Sequence, residues 1–326
     1  MLKNLMTKLL LGAALIPVQA MADDLPTLRV GWTIPNEEAK YTMMKRPEQF
    51  PELGKSYNIE WSQFQGTAPL VQAMLAGALD CSTQAPLSLA LAASQAGLEA
   101  SIVAEHAGEK NGHFSVYWAV LEDSPIKTVA DLKDKTVGLN VYGSGVWGPL
   151  AIVLKRAGLD PESDVELVET GFPGSEEAIR SGKVDAGVFV QPFAARAEAK
   201  GGLRKLVSQS DALPDIPHIF EVCSKEAIET KPELVKAYIR DLTASMKIAL
   251  SNRDQTLAVD SEVTRAPVAA LDSYLLKDDD VFRDPDMAPS VDAIQGLFEI
   301  YAELGLVDSV LDVNDYINPD FVAPLK

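Results

Sequence analysis

Apolar residues in this chain fall into short continuous runs that alternate with longer stretches of helical spacing. Residues 28–32 and 58–64 read as buried strands. Thr67 is placed to cap a helix that runs through Ala76, with Leu70, Met74 and Leu75 on one face. Residues 79–82 form a third predicted strand, 86–96 a helix and 101–105 a fourth strand. Strands separated by single helices predict a parallel sheet covered on both faces, an α/β architecture. Ligands of such sheets bind beyond the carboxyl ends of the strands. That places residues 33–36, 65–67 and 83–85 along one rim.

The cycle then repeats. Thr128 and Asp131 have the spacing of a capping box. After them come a strand over 136–139, a helix over 144–156, a strand over 165–168 and a helix over 176–180. A strand over 184–190 and a helix over 192–200 complete the second set. Gly158, just after Lys155 and Arg156, marks a helix end. Gly77-Ala78-Leu79-Asp80 leads to Gln84-Ala85-Pro86, and Gly182-Lys183-Val184-Asp185 leads to Val190-Gln191-Pro192. In both, a helix ends at glycine, a strand starts near the aspartate, and a glutamine-containing loop opens the next helix. Equivalent places in the cycle imply two related lobes. Beyond Pro217 a strand over 219–223 precedes long helices, over 231–250 (Leu234, Tyr238, Leu242 and Ile248 on one face) and 291–304.

One turn in the second set has the makings of a site, Val141-Tyr142-Gly143-Ser144-Gly145-Val146-Trp147. Gly143 and Gly145 let the backbone turn sharply and approach a ligand closely. Ser144 is placed as an N-cap, with the first free helix amides beyond it, an arrangement that suits an anion or an acceptor group. Tyr142 and Trp147 flank the turn, so at least one is expected to line the pocket. Trp32, at a strand end, is expected to face the cleft, as are Phe172 and Phe189; Trp61 and Trp118 are mid-strand and read as core.

Composition narrows the class. The first 22 of the 326 residues read as a cleaved export signal: Lys3 and Lys8, an apolar run over 9–18, and Ala20-Met21-Ala22. The remaining 304 residues exceed one ordinary core. No later segment reaches about 18 consecutive apolar residues, the length that spans a bilayer. The net charge of −18 becomes −20 without the two lysines of the leader. Such acidity argues against nucleic acid or an anionic membrane as partner, and any bound anion must be held by local groups. Cys81 and Cys223 do not make a framework; an exported pair could form a disulfide, but each sits in an apolar strand-like run, which favours two buried thiols. His106, His113 and His218 lack metal-ligand spacing, and His113 or His218 reads instead as a hydrogen-bonding cleft residue. Asp278-Asp279-Asp280 reads as a solvated turn. No Gly-x-Ser-x-Gly elbow is present and neither cysteine has an evident histidine partner, so no catalytic residue, metal site or cofactor is expected.

Particular segments carry a family likeness. Asp123-Ser124-Pro125-Ile126-Lys127-Thr128-Val129-Ala130-Asp131-Leu132-Lys133, Val137-Gly138-Leu139-Asn140 and Gly143-Ser144 resemble the second lobe of solute-binding proteins of ABC importers. The aliphatic sulfonate, taurine and nitrate branch is the nearest group. Trp61-Ser62-Gln63-Phe64-Gln65-Gly66 with Gly77 and Pro86, Gly182-Lys183-Val184-Asp185-Ala186, and Gln191-Pro192-Phe193 are similar to that branch as well. The resemblance covers most of residues 28–250. It implies a two-lobed periplasmic-binding-protein fold of type II, each lobe a sheet flanked by helices, with the solute closed between lobes. Residues 23–112 plus 218–326 would form lobe I and 113–217 lobe II, joined by crossovers near 108–114 and 211–218.

The function implied is that of a periplasmic monomer. It would pass a small organic anion (sulfonate-like or carboxylate), or a planar amphipathic solute, to the membrane permease of an importer. The expected ligand-binding set is Trp32, Gly66, Thr67, Gln84, His113, Tyr142, Gly143, Ser144, Gly145, Phe172, Phe189 and Gln191. Two positions depart from the sulfonate and taurine pattern. Val190 stands where a tryptophan usually precedes the proline by two residues, and Gln191 replaces the acidic or small residue between. The loop over 83–85 is also short. The space freed suits a bulky or planar ligand. The alternative is an enzyme on the same fold acting on a small aromatic or heterocyclic substrate. Enzymes resembling menaquinone-pathway lyases and pyrimidine synthases are cytoplasmic, however, and the cysteine-rich motif of the latter is absent.

Overall fold

The computed structural model describes residues 25–325, and the expected export signal lies outside them. The first set of elements is β1 (Thr27–Trp32), α1 (Glu38–Lys45), β2 (Asn58–Gln63), α2 (Thr67–Leu75), β3 (Cys81–Gln84), α3 (Pro86–Ala96) and β4 (Ala100–Gly108). The second is β5 (Tyr117–Leu121), β6 (Lys135–Leu139), α4 (Trp147–Arg156), β7 (Val165–Glu169), α5 (Gly171–Arg180), β8 (Gly187–Phe189), α6 (Phe193–Lys200) and β9 (Leu203–Ser208). The chain then returns through β10 (Pro217–Ser224) to α7 (Lys225–Thr230), α8 (Pro232–Ser251), α9 (Arg253–Thr264), α10 (Val268–Asp272) and α11 (Val291–Glu303).

Two lobes result, each with its own sheets. In the first lobe the order is β2-β1-β3-β10-β4. Strand β1 runs parallel to β2 and β3, but β10 runs antiparallel to both β3 and β4. The expected all-parallel sheet is therefore mixed, because the strand that re-enters after the second lobe arrives from the opposite direction. The second lobe holds an antiparallel trio β8-β5-β9 and a parallel pair β6-β7, linked by a bridge between Val137 and Ala186. The main apolar core runs through both lobes, from Leu70 and Leu87 past Trp118 and Leu150 to Phe298. A second core packs β1, β3 and β10 against α8.

The repeated Gly-x-x-Asp motif does the same job in each lobe. The Asp80 carboxylate accepts the Arg29 amide at 2.8 Å, and Asp185 accepts the Thr136 amide at 2.9 Å. Each aspartate also donates its own amide to the carbonyl of the same residue, at 2.8 and 2.9 Å. The motif thus ties the approach to β3 to β1 in the first lobe, and the approach to β8 to β6 in the second.

Several local expectations shift. Strand β3 starts two residues later than expected, at Cys81, because Asp80 is turned toward Arg29. Cys81 and Cys223 face each other across β3 and β10 and form a disulfide, which corrects the reading of two free thiols. Ser144 is not an N-cap: α4 begins at Trp147, after Val146. Thr67 is the first residue of α2 rather than its cap, and its hydroxyl makes no capping bond. Asp280 is no solvated turn residue; it is buried, 2.9 Å from Arg283.

Candidate functional site

The two crossovers between lobes run side by side. Glu109 donates its amide to the Ile216 carbonyl at 2.7 Å, and Gln209 to the Val116 carbonyl at 2.7 Å. Above them lies a narrow cavity of about 60 Å³ between the lobes. The first lobe supplies Thr33, Ile34, Pro35, Asn36, Gly66, Thr67 and Pro86, and the second Asn140, Gly145, Val146, Pro149, Phe172 and Val190. The crossovers and the start of β10 add Val116, Gln209, Ile216, Pro217, His218 and Ile219, and α11 adds Tyr301.

The walls are mostly apolar and carry no lysine or arginine. Positive character comes instead from helix starts. The N-terminal residues of α2 and α5, and the turn leading into α4, reach the lining, while α3 contributes only Pro86, which has no N–H. First-turn amides have no partner within their own helix, and they carry the positive end of its dipole. The Thr67 hydroxyl and the Asn140 side-chain carbonyl are buried without a partner in the protein. His218 pairs through Nε2 with Glu109 Oε1 at 2.7 Å, and Glu109 Oε1 also accepts from Ser115 Oγ at 3.0 Å. That pair straps the crossovers together beneath the cavity.

The rim at residues 33–36 is held from behind. Glu37 Oε1 accepts the Thr33 amide at 2.9 Å, and Glu37 Oε2 lies 3.1 Å from Lys40 Nζ. Lys40 is fully buried and also reaches Glu221 at 2.6 Å and the Gly31 carbonyl at 2.9 Å. His106 and the Tyr238 hydroxyl complete the shell of Glu221, at 3.1 and 3.0 Å. Burial pushes the Glu37 carboxyl up, with Lys40 offsetting part of the rise. Burial acts the same way on Glu221, but Lys40 and His106 outweigh it and hold that carboxyl below the usual range.

The glycine-rich turn of the second lobe lies against the first lobe. Ser144 Oγ accepts the Ala68 amide at 3.1 Å, across the seam. A Cβ on Gly66 would stand 2.7 Å from Ser144 Oγ and 2.9 Å from Asn140 Nδ2. One on Gly145 would meet the Ala85 Cβ at 3.0 Å, and one on Gly148 the Tyr301 hydroxyl at 3.0 Å. The absence of side chains here lets the lobes approach each other.

Of the expected residues, Gly66, Thr67, Gly145 and Phe172 line the cavity. Ser144 and Gly143 sit at the seam beside it, Gly143 with φ +75° and placed so that a Cβ there would come within 3.8 Å of Ala68 and 4.0 Å of Leu91. The others go elsewhere. Trp32 follows Leu28 and Val30 onto the sheet face turned to the helices and packs edge-on to Tyr41, with centroids 5.8 Å apart. Gln84 is inside β3, hydrogen-bonded to Ser82 and Ser88 at 3.0 and 2.9 Å. His113 is half-buried away from the cavity, its Nδ1 2.8 Å from the Asp280 carbonyl and its ring against Phe282. Tyr142 is 47% exposed and packs on the buried Trp147, so neither aromatic lines the cavity; Val146 and Pro149 do. Phe189 stacks on Tyr117, while Val190, next along the chain, faces in. Gln191 accepts the Ala195 amide at 3.2 Å and walls a separate pocket behind the rim.

Other lining residues had partial signals or none. His218 shares a β10 face with Phe220 and Val222, so period-two alternation points it toward the main core. Asn140 directly follows β6, the position at which sheet ligands bind. Tyr301 sits on a helix whose return to the cavity no local pattern reveals.

Comparison with known proteins gives a consistent picture. Residues 22–259 match the NMT1-like family. A protein of Escherichia coli (strain K12) named as an aliphatic sulfonates-binding protein is 24% identical over 217 residues. The match takes in 67% of this chain and 66% of that relative, just under two thirds of its length. The alkanesulfonate-binding protein SsuA from Xanthomonas axonopodis pv. citri, solved bound to MOPS, superposes with a TM-score of 0.74 at 20% identity, over 91% of this chain and 99% of that one. The desulfurization enzyme DSZB superposes at 0.62 with 16% identity, over 91% and 97%. The fold is thus the expected periplasmic-binding-protein fold, and it carries both binding proteins and an enzyme.

Proposed function

This chain belongs to the NMT1-like family, and from that premise we propose that it is the extracytoplasmic solute-binding component of an ABC importer. It works in the periplasm, delivers its solute to a membrane permease, and makes and breaks no bonds. Residues 23–112 plus 218–326 act as one rigid lobe and 113–217 as the other, hinged at the paired crossovers. The observation that carries this reading is the cavity: closed between two lobes, apolar-walled, and surrounded by helix starts. Its lining offers no cysteine, serine or lysine as a nucleophile.

The chemistry of the walls indicates the solute. Without lysine or arginine, a strongly charged anion would rest on helix amides alone. A small amphipathic solute fits better, its apolar body against Phe172, Val146 and Val190, its acceptor group at the amides around Gly145. The cavity of about 60 Å³ is far smaller than the ~300–1,000 Å³ of ordinary ligand sites. Solute therefore enters with the lobes apart and shifts the population toward closure.

Thermal melting against sulfonates, carboxylates, nitrate, aromatic amines and heterocycles tests this. A solute at a hundredfold excess over Kd stabilises by about 2.7 kcal/mol, a clear upward shift. Calorimetric titration of the solute so found should show that Gly145→Val binds it at least about tenfold more weakly, because the added side chain meets Ala85 and fills the space at the amides. A flat response to the whole panel, together with turnover of any member, would replace the binding reading with the enzyme one.

A further inference from the structure

Behind the rim lies a second, smaller pocket of about 10 Å³, and a buried acid opens into it. It is walled by Ile34, Pro35 and Asn36, by Asp260 on α9, and from the second lobe by Gln191 and Pro192. Asp260 is 3% exposed, and its Oδ1 has no hydrogen-bond partner in the protein. The one guanidinium nearby is committed elsewhere. Arg283 donates to Glu38 from Nε and Nη2, both at 2.7 Å, and from Nη1 to Asp280 at 2.9 Å and to the Val281 carbonyl at 2.7 Å. Glu38 of α1 and Asp280 add like charge around Asp260, while Tyr41 and Tyr274 contribute uncharged phenols. Burial, then repulsion from Glu38, pushes the Asp260 carboxyl well above its ordinary range, and Arg283 offsets only part of this. An unpaired buried acid is costly, and no contact within the protein uses it.

We propose that this pocket is a subsite of the solute site and takes a protonated nitrogen of the solute, an ammonium group that donates to Asp260. The proposal rests on the binding reading and names the chemistry of the solute's far end. The rim residues Ile34, Pro35 and Asn36 wall this pocket and the main cavity alike. A solute whose body lies in the main cavity therefore shares that loop with the carboxylate. The pocket has room for one small polar head, on the scale of a single water. Its walls come from both lobes, so a cation bound there holds Gln191 and Pro192 against Asp260 and favours closure. The net charge of −18 draws cations toward the protein. When the cation enters, Asp260 gives up its proton to the solvent and becomes the paired carboxylate.

Matched solutes test this by calorimetry on the full protein: benzylamine against benzyl alcohol, and aminomethylbenzoate against methylbenzoate. The ammonium member of each pair should bind about tenfold or more tightly than its uncharged-end partner. Its heat should change with the ionisation enthalpy of the buffer, as proton release requires. Asp260→Asn should abolish the preference, leave the uncharged-end members unchanged and melt higher than the wild type without solute. Equal binding within both pairs, or a preference that survives in Asp260→Asn, overturns the subsite. If none of the four binds while the wider panel finds a ligand, the subsite is refuted and the binding reading stands. If the whole panel fails, the binding reading falls and the subsite with it. Should the variant not fold, the wild-type pairs decide alone.

Discussion

Two adjacent glutamates at the start of α1 lead into two buried charge clusters of opposite character. Glu37 joins Lys40, where two carboxylates, Glu37 and Glu221, share one lysine with His106 and the Tyr238 hydroxyl at hand. Glu38 joins Arg283, where one guanidinium faces Glu38, Asp280 and Asp260 and reaches only the first two. In the first cluster every carboxylate has a cation within 3.1 Å. In the second, one acid is left over, and it borders a pocket between the lobes. Buried carboxylates normally have a cation, so the cluster in which each has one reads as scaffold, even though Glu37 Oε2 and His106 Nδ1 lack hydrogen bonds, and the acid without a cation reads as a place for something else. The first cluster secures the rim from which the cavity is built; the second leaves an unused acceptor beside that same rim.

The largest effect should come from breaking the cluster whose carboxylates share Lys40. Lys40→Met leaves Glu37 and Glu221 buried without their cation and should lower stability by about 3–5 kcal/mol in urea unfolding. A loss below about 1 kcal/mol would mean the cluster is no more than a surface-grade ion pair.

Asp260→Asn should move stability the other way, by about 1–2 kcal/mol upward at neutral pH. The sign follows from the raised folded-state pKa. The folded form keeps a proton that the unfolded form has released, so stability from this group is full below roughly pH 4 and is lost as pH rises through the folded pKa. The wild type should therefore weaken relative to Asp260→Asn as pH increases from that point. Parallel stability-versus-pH curves for the two proteins would show that Asp260 is not strained, and the contrast between the clusters would collapse.

The smallest effect sets a neutral baseline at the seam. Ser144→Ala removes the acceptor of the Ala68 amide and should cost about 0.5–1 kcal/mol, read as weaker solute affinity with little change in melting. A loss as large as that of Lys40→Met would make the seam, and not the buried charge, the stronger constraint.

How much of this was legible in the sequence varies with the reach of each signal. Helix α3 spans residues 86–96 as read, since Pro86 opens it and Gly97 closes it in the left-handed conformation. The Gly-x-x-Asp echo pointed correctly to two related lobes, since each copy acts on its own neighbouring strand. The glycine turn at Gly143 was legible for the same reason, with φ +75°, although α4 starts only at Trp147 and Ser144 does not cap it. Trp32 and Phe189 were misplaced because position at a strand end was weighed above side-chain alternation, which puts each on the face away from the cavity.

The sequence by itself therefore determined what depends on a few consecutive residues: the strand and helix cycle, the turns and the repeated Gly-x-x-Asp contacts. Only the tertiary structure decided which distant groups meet. The bond between Cys81 and Cys223 depends on β10 returning antiparallel beside β3, after the whole second lobe has intervened. The turn at Ser144 serves the seam because α2 of the other lobe lies against it. Asp260 is an ordinary acid on an ordinary helix until Arg283, Glu38 and Pro192 are brought around it. Local pattern reports the conformational preference of a segment and its apolar face; burial, pairing and surplus charge belong to the contacts that segments make after they pack.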